Sequence, residues 1–220
     1  MPIIEAEPSP IEINIEQTAL IVIDMQKDFL RHGGYGESLG NNPDMLARTI
    51  VPIQSILKLA RDKGIFVIHT REGHLPDLSD CSPTKLNRWP KGKRIGDLGP
   101  MGRILIRGQE GHQIIDEVAP LSSELVLDKP GKNAFYRTDL EKILREKGII
   151  NLLITGVTTD VCCSTTVSGA NDHGFNAIVL GDCMASYDPS RHKAALEIIK
   201  AQGGIFGWVT DSQKVLHALQ

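Results

Sequence analysis

No apolar run in the chain approaches the roughly 18 residues that a membrane-spanning helix needs, so a transmembrane protein is excluded. No Lys/Arg block stands out either. With 24 basic and 27 acidic side chains the net charge is −3, and nothing advertises a nucleic-acid footprint. Cysteines are few: Cys81, Cys162, Cys163 and Cys183. The opening stretch MPIIEAEPSPIEI has neither a basic region nor an apolar signal core. Reduced thiols in a cytoplasmic protein are therefore expected. There is no internal repeat and no low-complexity tract. No glycine-rich phosphate loop follows the first apolar run, where DMQKDF stands at 24–29, and this disfavours a dinucleotide-binding oxidoreductase. What is present is a globular balance, 41% hydrophobic and 23% charged, on a length that suits a single domain over residues 1–220.

Six short runs rich in Val, Ile and Leu alternate with amphipathic stretches: ALIVID (19–24), IFVIHT (65–70), ELVLDK (124–129), NLLITG (151–156), NAIVLGD (176–182) and GIFGWVT (204–210). Runs apolar on both faces suit central strands of a sheet covered on both sides. Helical patterns fall at 43–63 before Gly64, from Thr138 to Gly148, at 160–173 before Gly174, at 189–202 before Gly203, and after Asp211. The expected fold is a three-layer α/β/α domain with a six-stranded, mostly parallel sheet. Residues 71–123 break the rhythm, being polar and rich in Gly, Pro and charge. An excursion that long is expected to form a substrate wall or a subunit contact.

In such a sheet the ligand crevice lies beyond the carboxyl ends of the strands. Asp24, Arg71–Glu72, Lys129 and the segment from Gly156 to Cys163 occupy those ends. Cys162 follows a strand by a short turn and opens a helix, a position that favours a thiolate. A carboxylate closing an apolar strand is costly unless paired or working, which singles out Asp24. A thiol beside a carboxylate base and a cation is what nucleophilic acyl transfer needs. Successive helical residues point about 100° apart, so Cys163 cannot share the crevice with Cys162. A redox role for the adjacent pair is disfavoured, because redox pairs usually have two residues between them.

DMQKDF (24–29), KPGKNAF (129–135) with TDL after it, and GVTTDVCCSTT (156–166) together resemble the three signature blocks of the isochorismatase-like cysteine hydrolases. That family includes nicotinamidases, N-carbamoylsarcosine amidohydrolases, ureidoacrylate hydrolases and biuret hydrolases. The resemblance, which runs from about residue 17 to the C-terminus, implies a catalytic triad of Asp24, Lys129 and Cys162. It also implies a cis peptide at Val157–Thr158 and an oxyanion hole made by the amides of Thr158 and Cys162. TREGHLPDLSD (70–80), GPMGRIL (99–105), DKPGK (128–132) and KAQGGIFG (200–207) resemble the biuret hydrolase branch. By that resemblance Gln202 holds the substrate amide, Lys132 is a second cation near the pocket, and Phe29 is a wall.

The metal-binding Asp-x-His of nicotinamidases has no counterpart, since the second strand leads into TREGH with only His74 suitable. No metal and no cofactor are expected. The sequence reading is therefore an amidohydrolase that cleaves biuret or triuret through a thioester and releases ammonia. An N-carbamoyl or ureido acid is the alternative substrate, with Arg71, Arg94 or Arg103 as a carboxylate clamp. A non-catalytic binding protein is the remote alternative, but no triad member is missing. The partner expected is a small-molecule amide, and the resemblance implies a homotetramer.

Overall fold

The computed structural model describes all residues 1–220. Its central sheet has six strands: β1 (Thr18–Ile23), β2 (Phe66–Glu72), β3 (Leu125–Lys129), β4 (Asn151–Val157), β5 (Asn176–Ala185) and β6 (Trp208–Thr210). They lie in the order β6-β5-β4-β1-β2-β3, and every neighbouring pair is parallel. Five helices cover the faces: α1 (Ile50–Lys63), α2 (Leu140–Glu146), α3 (Ser164–Asp172), α4 (Pro189–Gly204) and α5 (Ser212–Leu219). This is the three-layer α/β/α architecture expected from the sequence.

The all-apolar strands are explained by their two faces. Along β1, Leu20 and Val22 enter one core with residues of α1 and α5, such as Ile53, Ile56 and Val215. Ala19, Ile21 and Ile23 enter the other, with Leu140, Val167 and Ile199 from α2, α3 and α4. Alternate side chains of a strand point to opposite faces, so a strand buried on both shows no polar alternation.

Two helices differ from the expected spans. The pattern at 43–63 is split into a turn at Asp44–Ala47 and the helix α1. Pro52 has no N–H to offer the preceding turn and its ring crowds the carbonyl four residues back, while the Thr49 hydroxyl donates to the Leu46 carbonyl at 2.8 Å. In α4 the regular helix stops before Ala201, whose ψ is 159°, and Gln202 turns left-handed with φ 52°.

The excursion has little regular structure: a four-residue turn at Pro83–Leu86, a two-residue ladder of Leu98–Gly99 on Gly102–Arg103, and a short turn at Asp116–Val118. Buried side chains tether it to the sheet. Gln26 accepts from the Glu72 N–H at 2.6 Å and donates to the carbonyls of Glu72 and His112. Asp28 accepts from the N–H groups of Tyr35 and Leu105, each at 3.3 Å. At the other end of the sheet, Ile3–Ile4 pairs with Ile11–Glu12, and between them Glu7 exchanges two 2.9 Å hydrogen bonds with Val209 on the outer edge of β6.

Strand order reverses between β1 and β4, and there the crevice opens. Gly156 occupies this switch point with φ 110°, and an added Cβ would lie 2.1 Å from the Ile23 carbonyl oxygen. Only glycine fits. No helix is long and apolar enough to cross a membrane.

Candidate active site

The carboxyl ends of four adjacent strands deliver the chemistry. Asp24 follows β1, Glu72 ends β2, Lys129 ends β3, and the turn after β4 carries Thr158 and Cys162. Asp24 leaves its strand with φ 50°. Its Oδ1 accepts from the Thr70 hydroxyl at 2.7 Å, and its Oδ2 lies 2.7 Å from Lys129 Nζ. Both side chains are fully buried. Lys129 aims its N–H donors at the carbonyls of Gly131 (2.9 Å) and Lys132 (3.0 Å). Oδ2 is thus charge-paired with Lys129 and has no other polar partner. The Lys129 ammonium is held well above the ordinary lysine range; burial opposes this, but Asp24, Cys162 and Glu72 outweigh it.

Cys162 sits in a π-helical turn, Thr159–Cys163, that leads into α3. Its Sγ lies 3.6 Å from Glu72 Oε2, and ligand atoms of Asp24, Glu72 and Cys162 fall within 4.8 Å of one another. The expected low thiol pKa does not hold. Burial, together with the Asp24 and Glu72 carboxylates, pushes the thiol well above its usual range despite Lys129 and Lys132. A helix-terminus dipole does not overcome full burial beside two anions. A thiol so disfavoured from ionising calls for a base in the step of attack. Cys163 lies wholly inside the second core.

The Val157–Thr158 bond is cis, as the resemblance implied. A cavity of about 350 Å³ opens above the turn, and Thr158 and Cys162 line it. Phe29 and Lys132 line it as well, as expected. Lys132 Nζ holds both Glu72 oxygens, at 2.7 and 2.8 Å.

Gln202 does not join them. It is exposed at the left-handed break ending α4, outside the lining of its own chain's pocket. None of the three arginines considered for a clamp lines the cavity either. Arg71 is engaged by Asp128, Arg94 by Asp97, and Arg103 by the carbonyls of Gly96 and Pro76. Arg88 and Arg191 line it instead.

Sequence reasoning gave Glu72 no role, although its place at a strand end was visible. Its carboxyl is completely buried. Burial would raise its pKa, yet Lys132, Lys129 and Lys85 hold it down to about 2. Glu72 is therefore a fixed anion and a poor proton acceptor. The Asp24–Glu72–Cys162 cluster has donor atoms a metal could use. Each carboxylate already has an ammonium at 2.7 Å, so lysines supply the neutralising charge a cation would bring.

Comparison with known proteins identifies the family. The isochorismatase domain family matches residues 18–214. The chain belongs to this family. It is 32% identical over 214 residues to ureidoacrylate amidohydrolase RutB of Yersinia enterocolitica, covering 95% of this chain and 92% of that one. Against RutB of Acinetobacter baylyi it is 30% identical over 223 residues, covering 99% and 90%. Among solved structures, a cysteine hydrolase from Pseudomonas syringae pv. phaseolicola superposes with a TM-score of 0.81 at 27% identity, covering 100% of this chain and 97% of that one. An N-carbamoylsarcosine amidase from Thermoplasma acidophilum gives 0.67 at 25% identity, covering 89% and 96%.

Proposed function

We propose that this protein of the isochorismatase family is a cysteine amidohydrolase acting on a small molecule with a terminal ureido group, a carbamoyl unit carried on the nitrogen of a substituent R. The observation that carries the reading is the convergence at the pocket floor, where Lys129 lies 2.7 Å from Asp24 and Asp24 shares a 4.8 Å cluster with the Cys162 sulfur. In this mechanism Asp24 takes the thiol proton and Sγ attacks the terminal carbonyl. The amides of Thr158 and Cys162 receive the developing oxyanion, a contribution of about 3 kcal/mol per donor in comparable sites. Asp24 returns the proton to the departing terminal nitrogen and ammonia leaves, with the acyl group held on sulfur. Water then adds to that carbonyl with Asp24 again as base, giving the carbamic acid HOOC–NH–R and the free thiol. Glu72, ionised throughout, accepts hydrogen bonds from the substrate N–H groups beside the sulfur.

A carboxylate on R is the reading we favour. Arg88 and Arg191 line the cavity, and cationic donors at the mouth suit a ureido acid. The names of the relatives support the same class. Biuret or triuret is the second reading, favoured by the Glu72 anion, which pairs with amide N–H donors of the kind these molecules carry at both ends. Ammonia release from ureidoacrylate, N-carbamoylglycine, biuret, triuret and nicotinamide separates the readings. The highest kcat/KM is expected for a ureido or carbamoyl acid; biuret ahead of the acids would reverse the order, and turnover of nicotinamide alone would sink the ureido class. Activity is further expected to survive dialysis against excess chelator, because lysines balance the site. A loss restored by zinc or iron would overturn that expectation.

A further inference from the structure

Lys85, from the turn at Pro83–Leu86, reaches the catalytic cavity from the excursion. Its Nζ donates to the Pro130 carbonyl at 2.6 Å and to His74 Nε2 at 3.0 Å, and it lies 3.7 Å from Glu72 Oε1. A lysine ammonium can only donate. His74 Nε2 must therefore be the acceptor, and the ring proton must sit on Nδ1. There it meets Asp80 Oδ1 at 3.0 Å, an oxygen that also accepts from the Leu75 N–H. The other Asp80 oxygen faces Arg107 at 3.4 Å. The His74 side chain is fully buried, yet both of its nitrogens are matched. Only one tautomer satisfies both partners.

We propose that Asp80 and His74 are a positioning relay for Lys85, and that Lys85 so held is a second cationic support of the Glu72 anion beside Cys162. With two of its three N–H directions taken by Pro130 and His74, the third is left for the side facing Glu72. Lys132 binds the same carboxylate from the opposite loop, so Glu72 is clamped between the excursion and the turn after β3. Burial and the Lys85 charge both lower the His74 pKa, consistent with the neutral ring that this geometry requires. Packing alone would be served by an apolar residue. A neutral, tautomer-fixed imidazole bonded to an ammonium instead orients a charge, in the way that outer partners orient catalytic groups. The relay is proposed to act through Glu72, so its effect belongs to kcat.

The inference rests on the ureido hydrolase reading, but one measurement is independent of it: the rate at which iodoacetamide alkylates Cys162, followed by mass spectrometry. Loss of Lys85 leaves Glu72 less neutralised and the thiol harder to ionise. Lys85→Met and His74→Leu are each expected to slow alkylation about threefold to tenfold and to lower kcat about tenfold to a hundredfold. The double variant should be no worse than the poorer single, because both remove one interaction. His74→Gln can accept from Lys85 and donate to Asp80, and should keep kcat within about threefold of wild type. Melting temperatures report folding, and Lys85→Met keeps the test readable if His74→Leu is unstable. Wild-type kcat and alkylation in a folded Lys85→Met, multiplicative losses in the double variant, or His74→Gln as poor as His74→Leu would each overturn the relay. An effect of Lys85→Met confined to KM would also overturn it, since Lys85 would then be binding substrate. If wild-type protein turns over no ureido compound, the substrate reading fails and the alkylation order still decides the relay.

Discussion

Cys162→Ser is expected to fold and bind substrate normally but to turn over at least about a thousandfold more slowly, as enzymes that lose their nucleophile generally do. The structure adds a reason for so large an effect. A serine hydroxyl is a far weaker acid than a thiol, and this site already resists ionisation of the group through burial and two neighbouring carboxylates. The Asp24 acceptor and the Lys129 and Lys132 charges, which act on either atom, do not make up the difference. Cys163→Ala removes an atom from the second core and nothing from the cavity. It should retain most of its kcat and lose some stability through the void left behind. Steady-state ammonia release with the preferred substrate, and melting temperatures for both variants, make the comparison. Equal losses in the two would mean that the wrong sulfur, or the wrong chemistry, has been assigned.

Lys129→Met is expected to damage both stability and activity. The Asp24–Lys129 pair has no exposure on either side chain. Removing the cation leaves a buried carboxylate held only by Thr70, and breaking such pairs costs about 3–5 kcal/mol. For a chain of this length that corresponds to a melting temperature lower by roughly 6–20 °C. Activity should fall at least about a hundredfold, because the cation 2.7 Å from Asp24 that holds its carboxylate in place for proton transfer would be gone. The double variant Asp24→Asn, Lys129→Met separates the two effects. It removes both charges, and should recover much of the lost melting temperature while remaining inactive. Recovery of turnover in that variant would show that Asp24 is not the proton carrier.

The parts of this molecule legible in the sequence are those set by short-range rules. Strand runs buried on both faces, glycine stops such as Gly64, and the Asp211 cap that accepts from Lys214 N–H all follow from local pattern. Asp24, Lys129 and Cys162 were legible because strand ends in a parallel sheet are confined to one edge. Glu72 shares that edge, but beside Arg71 in a polar stretch it gave no sign that it is buried. Lys85 offered no signal at all, since its meaning comes from Glu72, His74 and Pro130, which an irregular loop with no readable periodicity brings around it. Gln202 is different: its string resembles a family motif, yet the backbone leaves the helical region at Ala201 and the side chain does not line its own chain's pocket.

The N-terminal strap on β6 has a consequence for handling the protein. Glu7 takes up both the N–H and the C=O of Val209, the Thr210 hydroxyl donates to the Glu5 carbonyl, and Lys200 pairs with Glu7 from α4. Without residues 1–8, the outermost strand would present open main-chain donors and acceptors to solvent. Such a rim is a template for a foreign strand. A shortened chain would also lose the buried Ile4 from the core and is expected to become sticky, associating edge to edge as concentration rises. Affinity tags and fusions are accordingly better placed after Gln220, where α5 ends at the surface, than in exchange for the first eight residues.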